Sequence, residues 1–247
     1  MSEKNISIID HINELRKRLL HIVIWVLAGT VIGFLSYDWT ITYLIIPFQE
    51  NIVTEFGKEL FVQTLFEGFI TKFKLSMALG LIIALPAIIY HLLRFIFPAL
   101  RKKERIALIL GLITSIALAI GSCYLTFFKL IPFILTFMTS SGFVPKDVGL
   151  MLNFQNSIFY VVQFVIYSLI LFQFPILLEI LLAYNIVTRK QLIRLSRFVI
   201  VGIVILSAIV TPPDIVSQIA ISLPLIVLYF LSILIAKLFG WGAPCSD

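Results

Sequence analysis

Two carboxylates stand among basic residues. Glu14 lies in His11-Ile12-Asn13-Glu14-Leu15-Arg16-Lys17-Arg18-Leu19. Glu104 is the only acid in the stretch from Arg94 through Phe95, Pro98 and Arg101 to Arg105. An ionised carboxylate only accepts hydrogen bonds, and it can take a guanidinium through two parallel ones. Two carboxylates from separate elements could therefore clamp the arginines of a positively charged peptide. Each also has a local use. Glu14 is four residues from Arg18, the spacing of a helical ion pair. Glu104 could pair with its basic neighbours or favour the start of a helix.

Other polar groups sit inside apolar runs. Gln173, in Phe172-Gln173-Phe174-Pro175, falls near the middle of one run, where an amide needs a protein partner because lipid offers none. Glu179 is nearer the end of the same run, where a long side chain can snorkel. Gln218 follows Thr211-Pro212-Pro213-Asp214, a tight turn whose Asp214 can cap the next helix. Pro86, Pro175 and Pro224 each remove a backbone donor and are expected to kink their helices. His11, His21 and His91 are scattered, Cys123 lies in an apolar run and Cys245 in the tail. No paired catalytic set, nucleotide loop or metal-ligand spacing occurs, so neither an enzyme nor a cofactor is expected.

The elements that must position these groups follow from composition. Of 247 residues, 60% are hydrophobic and 13% charged. The charged share is about half that of a soluble domain. A soluble enzyme or nucleic-acid-binding domain could not hide so much apolar surface, and disorder needs the opposite composition. The sequence reads as an all-α membrane protein, one domain over 1–247, with six transmembrane helices at about 19–37, 75–93, 106–128, 157–182, 198–210 and 215–239. The net charge of +6 marks loops, with no nucleic acid implied. Lys4, Arg16, Lys17 and Arg18, the loop from Arg94 to Arg105, the loop from Arg189 to Arg197, and Lys237 put fourteen basic residues on one side. Lys58, Lys72, Lys74, Lys129 and Lys146 put five on the other. Both termini are therefore expected in the cytoplasm.

Ile8, Ile12, Leu15 and Leu19 repeat at helical spacing after a capping pattern at Ser7. They predict an amphipathic N-terminal helix in the interface, leading into the first span. Residues 38–71 and 129–156 read as outside loops. The fifth span has only 13 apolar residues, roughly 20 Å of helix against a hydrocarbon core of roughly 30 Å. It must borrow length from Arg194–Arg197, or the bilayer must thin.

On these residues the chain resembles the TatC family, the multispanning core component of the twin-arginine protein translocase. The matching stretches are His11–Leu19, Leu85-Pro86-Ala87-Ile88-Ile89-Tyr90, Phe95–Leu100 with Glu104-Arg105, Phe172–Pro175, and Thr211–Asp214 with Gln218. They run in order from about residue 7 to 238. The resemblance implies a receptor for folded proteins with twin-arginine signal peptides, driven by the proton-motive force. It maps the arginine-pair site to Glu14 and Glu104, with Arg16, Phe95 and Arg105 at neighbouring motif positions. Pro47 matches a proline of the first outside loop. The implied partners are single-span subunits of the TatA/TatB type, docking along span five and its outside end near Thr211. A homo-oligomer within a larger complex, surrounded by lipid of the cell membrane, is expected; an organellar membrane of bacterial origin is the alternative location. Many members have Glu where this chain has Gln173, and another Glu where Phe230 follows Leu228-Tyr229. A small-solute secondary transporter is the rival reading. It calls for charges deep in the spans and paired interrupted helices, and the sequence offers mainly Gln173.

Overall fold

Long apolar runs have one stable form in lipid, the helix, because it satisfies its backbone polar groups internally. The computed structural model describes residues 8–51, 60–96, 102–140, 151–183, 186–210 and 215–242 and follows that rule. Among the described residues six helical stretches are long and apolar enough to cross a bilayer: Ile12–Leu35, Glu67–Leu92, Gly111–Met138, Phe154–Ala183, Arg189–Val210 and Ile215–Leu238. The elements are α1 (Ile8–Leu35), α2 (Tyr37–Asn51), β1 (Leu60–Phe61), α3 (Glu67–Ile96), α4 (Lys102–Leu125), a π-helical turn (Thr126–Leu130), α5 (Ile131–Met138), β2 (Leu152–Asn153), α6 (Phe154–Leu171), α7 (Phe174–Ala183), α8 (Arg189–Val210) and α9 (Ile215–Leu238).

The expected amphipathic segment and the first span are one unbroken helix, α1. It packs antiparallel on α3 through small residues. A Cβ on Gly29 would lie 2.8 Å from the Gly80 carbonyl oxygen, and one on Gly33 2.9 Å from that of Ser76. A Cβ on Gly80 would press on Thr30 Oγ1 and sit 2.8 Å from the Val26 carbonyl oxygen. Lipid supplies no hydrophobic drive between helices, so close backbone approach of this kind holds the pair.

Four features differ from the sequence reading. First, 38–71 is not all loop. Leu44 and Phe48 recur at helical spacing and bury one face of α2 against the bundle. Second, the third span runs on through the π turn into α5, which buries Ile131, Ile134 and Leu135. The π turn has a local cause. Pro132 has no N–H to give the carbonyl four residues back, and the Ile131 N–H instead reaches the Thr126 oxygen five residues back. Third, the fourth span is broken at Phe172–Gln173, and Pro175 enters the first turn of α7, where its missing donor costs nothing. Pro86 and Pro224 lie within continuous helices. Fourth, the fifth span extends beyond 198–210, and it takes the added length from its basic segment, as its short apolar stretch required. As α8 it has 22 residues, roughly 33 Å, because Arg189–Arg197 are helical and carry their charges at its end.

The core gathers around α6 and α9. Ile158, Val161, Phe164, Ile221 and Tyr229 are almost wholly buried. On the face opposite the α8 start, β1 and β2 pair in parallel, Leu60 with Leu152 and Phe61 with Asn153. That pairing ties together the two segments before α3 and α6.

Candidate functional site

The first site is the end of α1 that carries Glu14. Arg18 donates to Glu14 Oε1 from both Nε, at 3.1 Å, and Nη2. This is the helical i,i+4 pair, half-exposed on the carboxylate side. Both bonds go to the same oxygen, Oε1; Oε2 accepts from no donor among the described residues.

The α1–α3 seam decides what lies beside that face. The His21 and His91 rings are 5.4 Å apart. The helices run antiparallel, so each step back along α1 meets a step forward along α3. Glu14, seven residues before His21, is roughly 10 Å beyond the His pair, and Phe95, four residues after His91, is roughly 6 Å beyond it. Arg16 is exposed on the same turn of α1 as Glu14, and Phe95 is half-buried. Arg94 Nη1 donates to Tyr90 Oη at 2.8 Å. The structure thus brings Glu14 and Arg16 to the end of α3 that holds Phe95. Glu104 and Arg105 fall in the first turn of α4; their side chains lie outside the described residues.

The second site is inside the bundle. Ser115 Oγ on α4 donates to Gln173 Oε1 at 2.8 Å. Gln173 Nε2 is buried without a hydrogen-bond partner among the described residues. The helix break at Phe172–Gln173 puts this amide on a cavity of about 630 Å³, shared by Ile89 of α3, Leu177 of α7, and Val199, Ile203 and Leu206 of α8. Nearby, Thr126 Oγ1 donates to Ser168 Oγ at 2.6 Å, which pins the π turn to α6. Glu179 is buried instead of snorkelling, because α7 turns it into the bundle.

Gln218 has a structural partner. Its Nε2 donates to the Val204 carbonyl at 3.1 Å and binds α9 to α8. Pro47 is buried inside α2. Thr211 and Asp214 lie outside the described residues.

Sequence reasoning passed over Glu67. It is buried at the start of α3 and accepts from the Gln63 N–H at 3.1 Å and from Asn153 Nδ2 at 3.2 Å. Asn153 Oδ1 in turn accepts from the Asn156 N–H at 2.9 Å and caps α6. The available signal was an acid at a helix start, but its partner is 86 residues away. Among the described residues no group of His, Cys, Asp and Glu is placed to hold a metal ion.

Spanning helices, polar contacts inside an apolar bundle and charges at the helix ends define a multi-pass membrane protein. Comparison with known proteins makes the class specific. The chain belongs to the TatC family: the model of the Sec-independent protein translocase protein (TatC) matches residues 10–224. As a member it is a component of a protein translocase. It is 32% identical over 230 residues to the Sec-independent protein translocase protein TatC of Aquifex aeolicus, covering 93% of this chain and 94% of that one. It is 28% identical over 238 residues to TatC of Carboxydothermus hydrogenoformans, covering 96% and 95%. A crystal structure of the twin-arginine translocase receptor TatC in detergent superposes with a TM-score of 0.81 at 32% identity, covering 92% of this chain and 99% of that chain.

Proposed function

We propose that this chain is the receptor for twin-arginine signal peptides and the core subunit of a translocase that exports folded proteins, driven by the proton-motive force. Both termini face the cytoplasm, the side with the basic loops. One observation carries the reading: the end-to-end likeness to the solved twin-arginine translocase receptor. The geometry adds support. Glu14 already holds one guanidinium, that of Arg18, on a single oxygen, so an incoming arginine can take the other oxygen or replace Arg18. Glu104, at the start of α4, completes the clamp, and Arg16, Phe95 and Arg105 shape its edge.

Single-span subunits of the TatA/TatB type dock along α8. Phe198, Val201, Ile205 and Ile209 are exposed apolar residues there, and the Gln173 cavity opens beside the same helix. Thr211 and Asp214 mark the outer end of that docking line, with Gln218 fixing α9 to α8 behind it and Pro47 setting α2 on the outer face. Several copies assemble in the working complex.

The test is binding of a folded precursor to membranes holding this chain. A twin-arginine precursor should crosslink to residues near 14 and 95, and its twin-lysine version should crosslink far less, since an ammonium cannot make the planar two-point contact. Equal crosslinking of both would remove the receptor role.

A further inference from the structure

At the end of the bundle where α8 begins and α9 finishes, a cavity of about 490 Å³ lies between the two helices. Arg189, Lys190 and Lys237 line its outer part, and Ile193, Phe230 and Leu234 its inner part. The three cations come from both helices, and among the described residues no acid lines the cavity. None of the three forms an ion pair among the described residues. Lys190 and Lys237 are exposed.

The walls are held in place. The Arg189 N–H and its Nε donate to the Gly242 carbonyl at 3.0 and 3.2 Å. The chain can turn back to offer that carbonyl because Gly240 and Gly242 adopt φ of 73° and 62°, a backbone region costly for other residues. Tyr229 Oη donates to the Leu192 carbonyl at 2.8 Å, locking α9 against the first turns of α8. Trp241 stacks on Phe239, ring centroids 5.1 Å apart, at the same level, and a tryptophan just past a span marks the headgroup layer.

We propose that this cavity binds one anionic membrane phospholipid. Its phosphate sits among Arg189, Lys190 and Lys237, and an acyl chain runs down over Phe230 and Leu234. The arrangement matches the chemistry of such a molecule: a negative head at the interface and an apolar tail beneath it. Basic pockets between spanning helices on the positively charged side are suited to anionic headgroups. A zwitterionic lipid would bring an ammonium up to three cations and should be disfavoured. The peptide carboxylates Glu14 and Glu104 take no part.

The test uses the full chain, released from membranes and examined by native mass spectrometry with added phosphatidylglycerol or phosphatidylcholine. The parent should retain one phosphatidylglycerol in preference to phosphatidylcholine. Lys190→Gln and Lys237→Gln, both at exposed positions, should each weaken retention roughly fivefold, and together roughly 25-fold. Lys190→Glu with Lys237→Glu should abolish it while gel filtration still shows folded protein. Equal retention of the two lipids by the parent would overturn the proposal. So would phosphatidylglycerol retention unchanged in the Lys190→Gln, Lys237→Gln variant.

Discussion

The Ser115 hydroxyl donates to Gln173 Oε1 across 2.8 Å, and this bond joins α4 to the break between α6 and α7. The same amide presents a buried Nε2 with no hydrogen-bond partner among the described residues beside the intramembrane cavity. One half of the side chain therefore holds the fold, and the other half is available to a partner.

Gln173→Leu removes both halves. It should lower stability by about 1 kcal/mol, the scale of an interhelical hydrogen bond in lipid, and should weaken translocation of a twin-arginine precursor. Gln173→Glu should be tolerated, because a protonated carboxyl still accepts from Ser115 and still offers a donor. Transport by the leucine variant at the parent's rate would make Gln173 a packing residue only.

Glu14→Gln and Glu104→Gln each keep shape and remove charge. A charge-assisted hydrogen bond is worth about 1.5–3 kcal/mol, so each should reduce twin-arginine peptide affinity roughly tenfold to a hundredfold. Glu→Lys should be worse, through repulsion. Arg18→Gln makes the converse case: it frees Glu14 Oε1 and should leave binding intact or tighten it. Peptide binding to the detergent-solubilised chain measures all of these, and unchanged affinity in the Glu14→Gln, Glu104→Gln double variant would return Glu14 to its bond with Arg18.

Orientation is open to cysteine labelling. Membrane-impermeant reagents should reach positions 102 and 190 from the cytoplasm and positions 58 and 146 from outside. The opposite pattern would place Glu14 on the wrong side for a cytoplasmic signal peptide.

The α1–α3 seam predicts a packing defect. Gly80→Ala would drive a methyl group against Thr30 and the Val26 carbonyl, so the helices must part. Overpacking of this kind costs about 1–3 kcal/mol. Gly121→Ala, whose Cβ would meet no described atom within 4 Å beyond its chain neighbours and its own helix backbone, should be neutral or mildly stabilising. Thermal unfolding in detergent should separate the two variants; equal melting would show that the seam yields.

The six spans were legible in the sequence because partition into lipid is a local property. About twenty apolar residues in a row cross a bilayer whatever their neighbours do. Pro175 marked the neighbourhood of a break, but Pro86 and Pro224, with the same missing N–H, lie within continuous helices, so proline alone did not decide it. The candidate carboxylates were legible as acids among basic residues, and Glu14–Arg18 as an i,i+4 spacing. Which helices touch was not legible. Gly29 meeting Gly80, Ser115 meeting Gln173 and Glu67 meeting Asn153 join residues 51, 58 and 86 positions apart, and apolar periodicity says only that a face is apolar, not what covers it. The helices of the outer segments were missed for a related reason. α2 is too short to be a span and α5 is the continuation of the third one, and what stabilises them is burial of Leu44, Phe48, Ile131 and Ile134 against the bundle. Tertiary structure alone decided those contacts, because each depends on the backbone of one helix approaching another.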